Sequence, residues 1–183
     1  MKNYSARKLV LNGVMIALVF LATYFTRIPT PLPGGYFNLG DAVIMLAAVF
    51  LGPVAGMAAG AIGSALADIT AGAFLFAPIT FVVKGLEGLA VGLLAVKCFQ
   101  QKAGKQQTFS IRKIAVVIIG AVIMVAGYFA AEAFLLGFFN EEFGLTAAVA
   151  ELVPNFIQGG LSAILSYVMI ALLTRMDIDK YIH

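Results

Sequence analysis

Polar side chains that can bind a small molecule interrupt the apolar stretches of this chain in three pairs. The members of each pair lie three or four residues apart: Lys84 with Glu87, Tyr128 with Glu132, and Asn155 with Gln158. Residues at these spacings share one face of an α-helix, so each pair points in one direction. The pairs supply charges, hydrogen-bond donors and hydrogen-bond acceptors. They predict a recognition site to which three helices each contribute one polar face.

The same residue types do not form a recognisable catalytic centre. The only histidine is His183, and neither a His-Glu-x-x-His zinc motif nor a Gly-x-Ser-x-Gly elbow occurs. The single cysteine, Cys98, excludes a disulfide framework and a thiolate metal cluster. Gly104-Lys105 does not complete a phosphate-binding loop, because Phe99 occupies the position of its first glycine. We therefore expect no metal, no cofactor and no ATP hydrolysis by this chain.

The composition indicates that the polar pairs lie on membrane-spanning helices. The 183 residues are 62% hydrophobic and 11% charged, with a mean hydropathy of +1.00, whereas soluble domains are about 45–50% apolar and about 25% charged. A span takes about 20 apolar residues, so six spans would use nearly the whole chain and leave no room for a catalytic domain outside the membrane. We predict an all-α integral membrane protein with one transmembrane domain over residues 1–183. The small excess of basic residues requires no nucleic acid.

Charges, glycines and prolines divide the apolar sequence into six predicted helices, with five as the alternative count. Their ranges are 9–26, 42–51, 53–67, 77–96, 114–138 and 152–174. The basic N-terminal segment resembles a signal peptide, but no small-residue cleavage site follows it, so we predict a retained first span. The Pro- and Gly-rich segment 28–36 cannot be helical and is predicted to be a long ordered loop. Asp41 is predicted to cap the second helix.

The basic residues predict the orientation of the bundle. If the N-terminus is cytoplasmic, every lysine and arginine except Arg27 and Lys84 lies on the cytoplasmic side. Both termini are then cytoplasmic. Asp68 and the three polar pairs all fall between the bilayer middle and the outer surface, which predicts a pocket that opens outward in a multi-pass protein of the bacterial cell membrane.

Ionisable groups inside a span cost at least about 2.5–3.5 kcal/mol each, so they face a cavity or each other. Two interpretations of Lys84 stay open. It pairs with Glu87 or Asp68 and holds the bundle together, or it contacts a ligand. Glu132 has no evident cation once Lys84 is paired, which favours a ligand contact. Aromatic side chains near the same depth, Tyr36, Phe37, Phe74 and Phe76, suit a compact aromatic heterocycle.

Small residues recur every four positions in the third predicted helix, where one row contains Gly52, Gly56, Gly60 and Ser64. A parallel row contains Ala55, Ala59, Gly63 and Ala67, and the first helix repeats the spacing at Gly13 and Ala17. Small side chains allow close packing of helices in lipid. We predict that one row packs within the monomer and that the other, with Gly13 and Ala17, contacts a partner membrane subunit.

Several short motifs occur in a characteristic order along the chain. They are GYFNLGD at 35–41, LGP at 51–53, GAIGSALAD at 60–68, FAPIT at 76–80 and VKGLE at 83–87. In motif order, span count and length the chain resembles the S components of energy-coupling factor (ECF) vitamin transporters. Within that family it is most similar to the hydroxymethylpyrimidine and pyridoxine type.

The resemblance implies that the chain binds a vitamin or its precursor under an outer loop. It also implies partners: a membrane-embedded T component and two cytoplasmic ATPases, which drive substrate release. The substrate-binding residues predicted for this chain are Tyr36, Phe37, Asn38, Lys84, Glu87, Tyr128, Glu132, Asn155 and Gln158, with Asp68 in a supporting ionic role. In the family the first helix often contacts the T component through an Ala-x-x-x-Ala motif. This chain has Gly13-x-x-x-Ala17 at that place instead.

Other functions and substrates stay open at this point. Thiamine, riboflavin, pantothenate and biotin are alternative substrates. An intramembrane enzyme using Glu87 and Glu132 as paired carboxylates is a rival, as is a small stand-alone transporter or channel, although the two halves of the chain show no convincing inverted repeat. A structural scaffold would leave the polar residues of the outer half without a purpose.

Overall fold

The protein is described by a computed structural model that covers residues 6–30, 35–99, 111–139 and 141–176. Its α-helices are α1 (Ala6–Phe25), α2 (Gly40–Leu51), α3 (Pro53–Ala58), α4 (Ser64–Ala71), α5 (Ala77–Phe99), α6 (Ile111–Phe134) and α7 (Leu145–Arg175). A π-helical turn, Ala59–Gly63, joins α3 to α4, and a short 3-10 helix, Leu136–Phe138, follows α6. Two short strands, β1 (Ile28–Pro29) and β2 (Tyr36–Phe37), pair antiparallel within the segment predicted to be non-helical.

Within the described ranges, five helical segments are long and apolar enough to cross a membrane: Ala6–Phe25, Pro53–Ala71, Ala77–Val96, Ile111–Phe138 and Leu145–Arg175. The remaining predicted span, α2, is helical but has only 12 residues. At 1.5 Å per residue it is about 18 Å long, shorter than the ~30 Å hydrocarbon core. The all-α membrane fold is thus confirmed, whereas six full-length spans are not. The cytoplasmic location of both termini stays a prediction.

Helix α2 lies at the centre of the bundle, where it packs against α1, α3, α5 and α7. Apart from Asp41 its sequence is apolar on every side, as expected of a helix enclosed by others. It ends at Gly52, whose φ of 95° is readily adopted only by glycine. Pro53 then begins α3, because proline lacks an N–H and suits the first position of a helix.

Helix α3, the π-helical turn and helix α4 follow one another as a continuous column. This column packs so closely against its neighbours that several of its glycines leave no room for a side chain. A Cβ added at Gly56 would lie 2.5 Å from a side-chain carbon of α2. At Gly60 it would overlap a main-chain carbonyl of α5, and at Gly63 it would lie 2.7 Å from a main-chain oxygen of α1. Both rows of small residues therefore serve packing inside the monomer.

This packing corrects the prediction that one of these rows contacts a partner subunit. Gly56, Gly60 and Ser64 are buried inside the monomer, and Gly52 lies at the break between α2 and α3. By contrast, Gly13 and Ala17 on α1 are exposed, and a Cβ at Gly13 would meet no atom within 4 Å. A partner contact through this face of α1 stays a prediction.

Helix α7 begins at Leu145 rather than at residue 152. Pro154, which would suit the first turn of a helix, instead lies inside α7. The earlier start places Glu151 within the helix, on the same face as Asn155 and Gln158, four and seven residues further along.

Candidate ligand-binding cavity

A polar cavity lies between α4, α5, α6 and α7, next to strand β2. It contains about 440 Å³ of space between protein atoms, part of which is open to solvent. The predicted site residues that line it are Tyr36, Asn38, Asp68, Lys84, Tyr128, Glu132, Asn155 and Gln158. The three polar faces predicted from helical spacing thus meet in one cavity.

Some predicted residues lie elsewhere. Glu87 and Phe37 are not among the residues that line the cavity. Phe74 is 68% exposed and lies in an apolar groove on the outside of the bundle, whereas Phe76 is buried and does line the cavity. Ser64, predicted to contact a partner subunit, faces the cavity instead.

Lys84 on α5 is the charged residue at the inner wall of the cavity, and it is 2% exposed. Its ammonium group forms an ion pair with the buried Asp41, and Nζ lies 3.7 Å from Oε2 of Glu87. A buried ammonium group needs nearby carboxylates because the apolar interior does not solvate it. Lys84 is therefore held by Asp41 and Glu87. Of its two predicted partners, Glu87 is found beside it, whereas Asp68 is not its ion-pair partner.

Asp41 also departs from its predicted role as a helix cap. Helix α2 begins at Gly40, and no side chain caps its N-terminus. The Asp41 carboxylate instead points into the bundle, where it accepts hydrogen bonds from Lys84 and from Nε2 of Gln158, the latter at 2.8 Å. The N-terminal turn of a helix favours a negative charge in any case, so the residue type suits both roles.

Gln158 connects α7 to α2 and to the segment before α2. Its Oε1 accepts a hydrogen bond from the main-chain N–H of Asn38 at 2.8 Å. The Asn38 side chain accepts a hydrogen bond from the main-chain N–H of Gly40 at 2.8 Å and so shapes the entry into α2. A single amide therefore fixes both the cavity wall and the chain segment that approaches it.

Two tyrosines form the other side of the cavity. The Tyr36 hydroxyl donates a hydrogen bond to Asp68, which is thus paired with a tyrosine rather than with Lys84. Burial, and then the neighbouring Asp68 carboxylate, raise the pKa of Tyr36 above its ordinary value of 10.0, so this hydroxyl stays protonated and able to donate. The hydroxyls of Tyr128 and Thr80 are hydrogen-bonded at 2.8 Å. Lys84 Nζ lies 5.4 Å from the centre of the Tyr128 ring.

Several buried polar atoms of the lining have no hydrogen-bond partner among the residues that the structure describes. They are Oγ1 of Thr23, Oγ of Ser64 and Oε2 of Glu132. An unsatisfied buried polar group costs about 1–3 kcal/mol, so clusters of them are unusual in structural cores. These oxygens therefore leave hydrogen-bonding capacity free at the cavity.

Sequence reasoning missed Thr23, Gly35, Thr80 and Glu151 among the lining residues, and Asp41 behind Lys84. The threonines give little signal, because a hydroxyl in a helix can bond to its own backbone. The four-residue spacing between Glu151 and Asn155 is helical and could have identified Glu151 as a site residue. The predicted helix, however, began at residue 152 and left Glu151 out. Asp41 is an acidic residue at the start of an apolar helix. The prediction that it caps this helix gave no reason to look for a distant partner.

Comparison with known proteins connects this cavity to a transport family. Residues 3–175 match the family model described as ECF-type riboflavin transporter, S component. An uncharacterised protein of Pyrococcus woesei is 37% identical over 155 residues, which are 80% of this chain and 93% of that protein.

Shorter matches occur to proteins of the UPF0397 group. One from Streptococcus agalactiae is 36% identical over 105 residues, 57% of each chain, and one from Lactococcus lactis is 40% identical over 95 residues, 50% of each chain. These matches therefore span about half the length of the UPF0397 relatives.

The family model covers nearly all of the residues that form the bundle and every residue that lines the cavity. The pyridoxine or hydroxymethylpyrimidine type within the family is not confirmed. The chain belongs to the ECF-type transporter S components, the membrane-embedded substrate-binding subunits of vitamin importers.

Proposed function

We propose that this S component binds a compact nitrogen heterocycle of the pyridoxine or hydroxymethylpyrimidine type. The observation that carries the proposal is the polar cavity, whose lining includes unpaired oxygens of Thr23, Ser64 and Glu132. A small ring with hydroxyl and nitrogen groups offers hydrogen bonds in several directions to such a lining. Tyr36, Phe76 and Tyr128 supply aromatic contacts at the same cavity.

The proposed assembly follows from the family. The chain provides substrate recognition, and a T component with two cytoplasmic ATPases provides the energy for import. The exposed face of α1 that carries Gly13 and Ala17 is the proposed contact with the T component, because small side chains allow close helix approach. This chain itself is proposed to catalyse no reaction.

Riboflavin is a second candidate substrate, and the description of the family model favours it. A three-ring flavin with a ribityl chain is much larger than a single pyridine or pyrimidine ring. Riboflavin binding would therefore require the cavity to expand more than the binding of a single ring would. The two candidates therefore differ in how much the protein must change on binding.

Calorimetric titration of the purified full-length chain in detergent tests the proposal. We expect saturable binding of pyridoxine or hydroxymethylpyrimidine in the absence of ATP and of partner subunits. Thiamine, pantothenate and riboflavin serve as comparison ligands. Tight binding of riboflavin alone would favour the second candidate. ATP hydrolysis by the isolated chain, or binding only after an ATPase is added, would contradict both.

A further inference from the structure

Acidic side chains outnumber basic ones at the cavity. Its lining contains three carboxylates, those of Asp68, Glu132 and Glu151, and one ammonium group, that of Lys84. Lys84 is already paired with Asp41 and lies close to Glu87, neither of which lines the cavity. Among the residues that the structure describes, no other lysine or arginine lines this cavity. Carboxyl groups therefore outnumber ammonium groups in the lining of the cavity.

The excess of carboxylates is concentrated where α6 meets α7. Glu132 on α6 is 3% exposed and Glu151 on α7 is 4% exposed, and both line the cavity. The two helices are joined here, since the main-chain N–H of Gly144 donates a hydrogen bond to the main-chain oxygen of Glu132 at 3.1 Å. Oε2 of Glu132 is buried at the cavity and has no hydrogen-bond partner in the described part of the chain. We call this end of the cavity, formed by Glu132 and Glu151, the acidic end.

We propose that the acidic end is a subsite for an amino or ammonium group of the substrate and that it discriminates against acidic vitamins. Two neighbouring carboxyl groups repel each other when both are ionised, and a ligand group that carries positive charge and donates hydrogen bonds offsets this repulsion. A ligand carboxylate at the same place would meet like charge in a site shielded from water, which acts as a selective barrier. This inference rests on the proposed function, because it assigns a substrate group to the same cavity.

A matched ligand series tests the inference on the wild-type protein. Pyridoxamine, pyridoxine and 4-pyridoxic acid share one pyridine ring and carry an aminomethyl, a hydroxymethyl and a carboxylate group at the same ring position. Calorimetry is expected to rank their affinities in that order. A hydrogen bond between charged groups corresponds to about a tenfold or greater preference for pyridoxamine over pyridoxine.

The Glu132→Gln variant tests whether the acidic end causes the preference, because glutamine keeps the size of the side chain but cannot ionise. We expect the preference for pyridoxamine to fall by about tenfold, with a much smaller change for pyridoxine. Glu141→Gln is the matched control, since Glu141 is exposed and does not line the cavity. Thermal unfolding in detergent checks that both variants fold, and the ligand series on the wild type needs no variant.

The possible outcomes separate the inference from the proposed function. Equal affinities for all three pyridines, or a preference that persists in Glu132→Gln, would overturn the inference and leave the proposed function standing. Binding of none of them, or of riboflavin alone, which has no amino group, would overturn both.

Discussion

The side chains of Gln158 and Asp41 meet across 117 positions of sequence, where Nε2 of Gln158 donates a hydrogen bond to Oδ2 of Asp41 at 2.8 Å. The same amide accepts a hydrogen bond from the main-chain N–H of Asn38. One side chain of the last helix thus holds the carboxylate that pairs with Lys84 and the segment that leads into α2. The wall of the cavity and the packing of the bundle are therefore coupled at Gln158.

Replacing Gln158 with alanine is expected to weaken both ligand binding and the stability of the bundle. The change strands the Asn38 N–H and removes one donor from Asp41, at roughly 1–3 kcal/mol for each group left unsatisfied. Thermal unfolding in detergent and calorimetric titration measure the two effects. Thr70→Ala is the control, because Thr70 is exposed and its hydroxyl bonds within its own helix. A Gln158→Ala variant as stable as Thr70→Ala would show that the amide bridge contributes little.

Lys84→Met is expected to reduce the stability of the protein. Removing the ammonium group leaves the carboxylates of Asp41 and Glu87 buried without their cation, at about 3–5 kcal/mol. Adding Asp41→Asn to the same chain removes one of the stranded charges and is expected to restore part of the loss. Lys8→Met, at an exposed position of α1, is the control for the loss of a positive charge.

Thermal unfolding of the single and double variants measures this coupling. Unchanged melting of Lys84→Met together with complete loss of ligand binding would instead make Lys84 a direct ligand contact, as the second interpretation from the sequence allows.

The sequence predicted the positions of Lys84, Glu132 and Gln158 at the cavity because polar groups stand out in apolar spans. The high cost of burying them in lipid leaves few alternatives to a cavity. The same argument did not find the partner of Lys84. Asp41 precedes an apolar segment, where a capping role was a sufficient local explanation. Its pairing depends on the central position of α2, which only the tertiary packing determines.

The small-residue rows illustrate a different limit of the sequence. Their spacing predicted close helix packing, which the structure shows, but not the identity of the neighbour. The column that carries Gly56 and Gly60 contacts α1, α2 and α5, so both rows are occupied within the monomer. Similarly, the late predicted start of α7 excluded Glu151 from the site, although its spacing from Asn155 is helical.

Gly60→Leu and Gly13→Leu are expected to affect different properties: the stability of the fold for Gly60→Leu, and association with the partner subunit for Gly13→Leu. At Gly60 a side chain would collide with the α5 backbone, at a cost of about 1–3 kcal/mol or more. Gly13→Leu has free space and is expected to fold normally but to lose association with the proposed T component. Melting temperature and co-purification with a co-expressed T component separate the effects. Normal co-purification of Gly13→Leu would remove α1 as the contact.

Alkaline pH is expected to lower the stability of the folded protein through Tyr36. The pKa of Tyr36 is raised in the folded protein, so the folded state keeps a proton that the unfolded chain loses above pH 10. Stability from the neutral hydroxyl is therefore complete below about pH 10 and decreases as the pH rises further. Thermal unfolding between about pH 8 and pH 11 measures this slope. Tyr36→Phe should have a shallower slope, and an identical slope in both proteins would contradict the assignment.

The central claim is that the cavity lined by Glu132, Asn155 and Gln158 is the substrate site. Mass spectrometry of the small molecules retained after the purified protein is incubated with a mixture of vitamins and precursors, and then desalted, tests it most directly. The account predicts that the wild type retains a single-ring nitrogen heterocycle in stoichiometric amount and that a folded Glu132→Gln, Asn155→Ala double variant retains far less. Retention of no vitamin by the wild type, or equal retention by both proteins, would contradict the account.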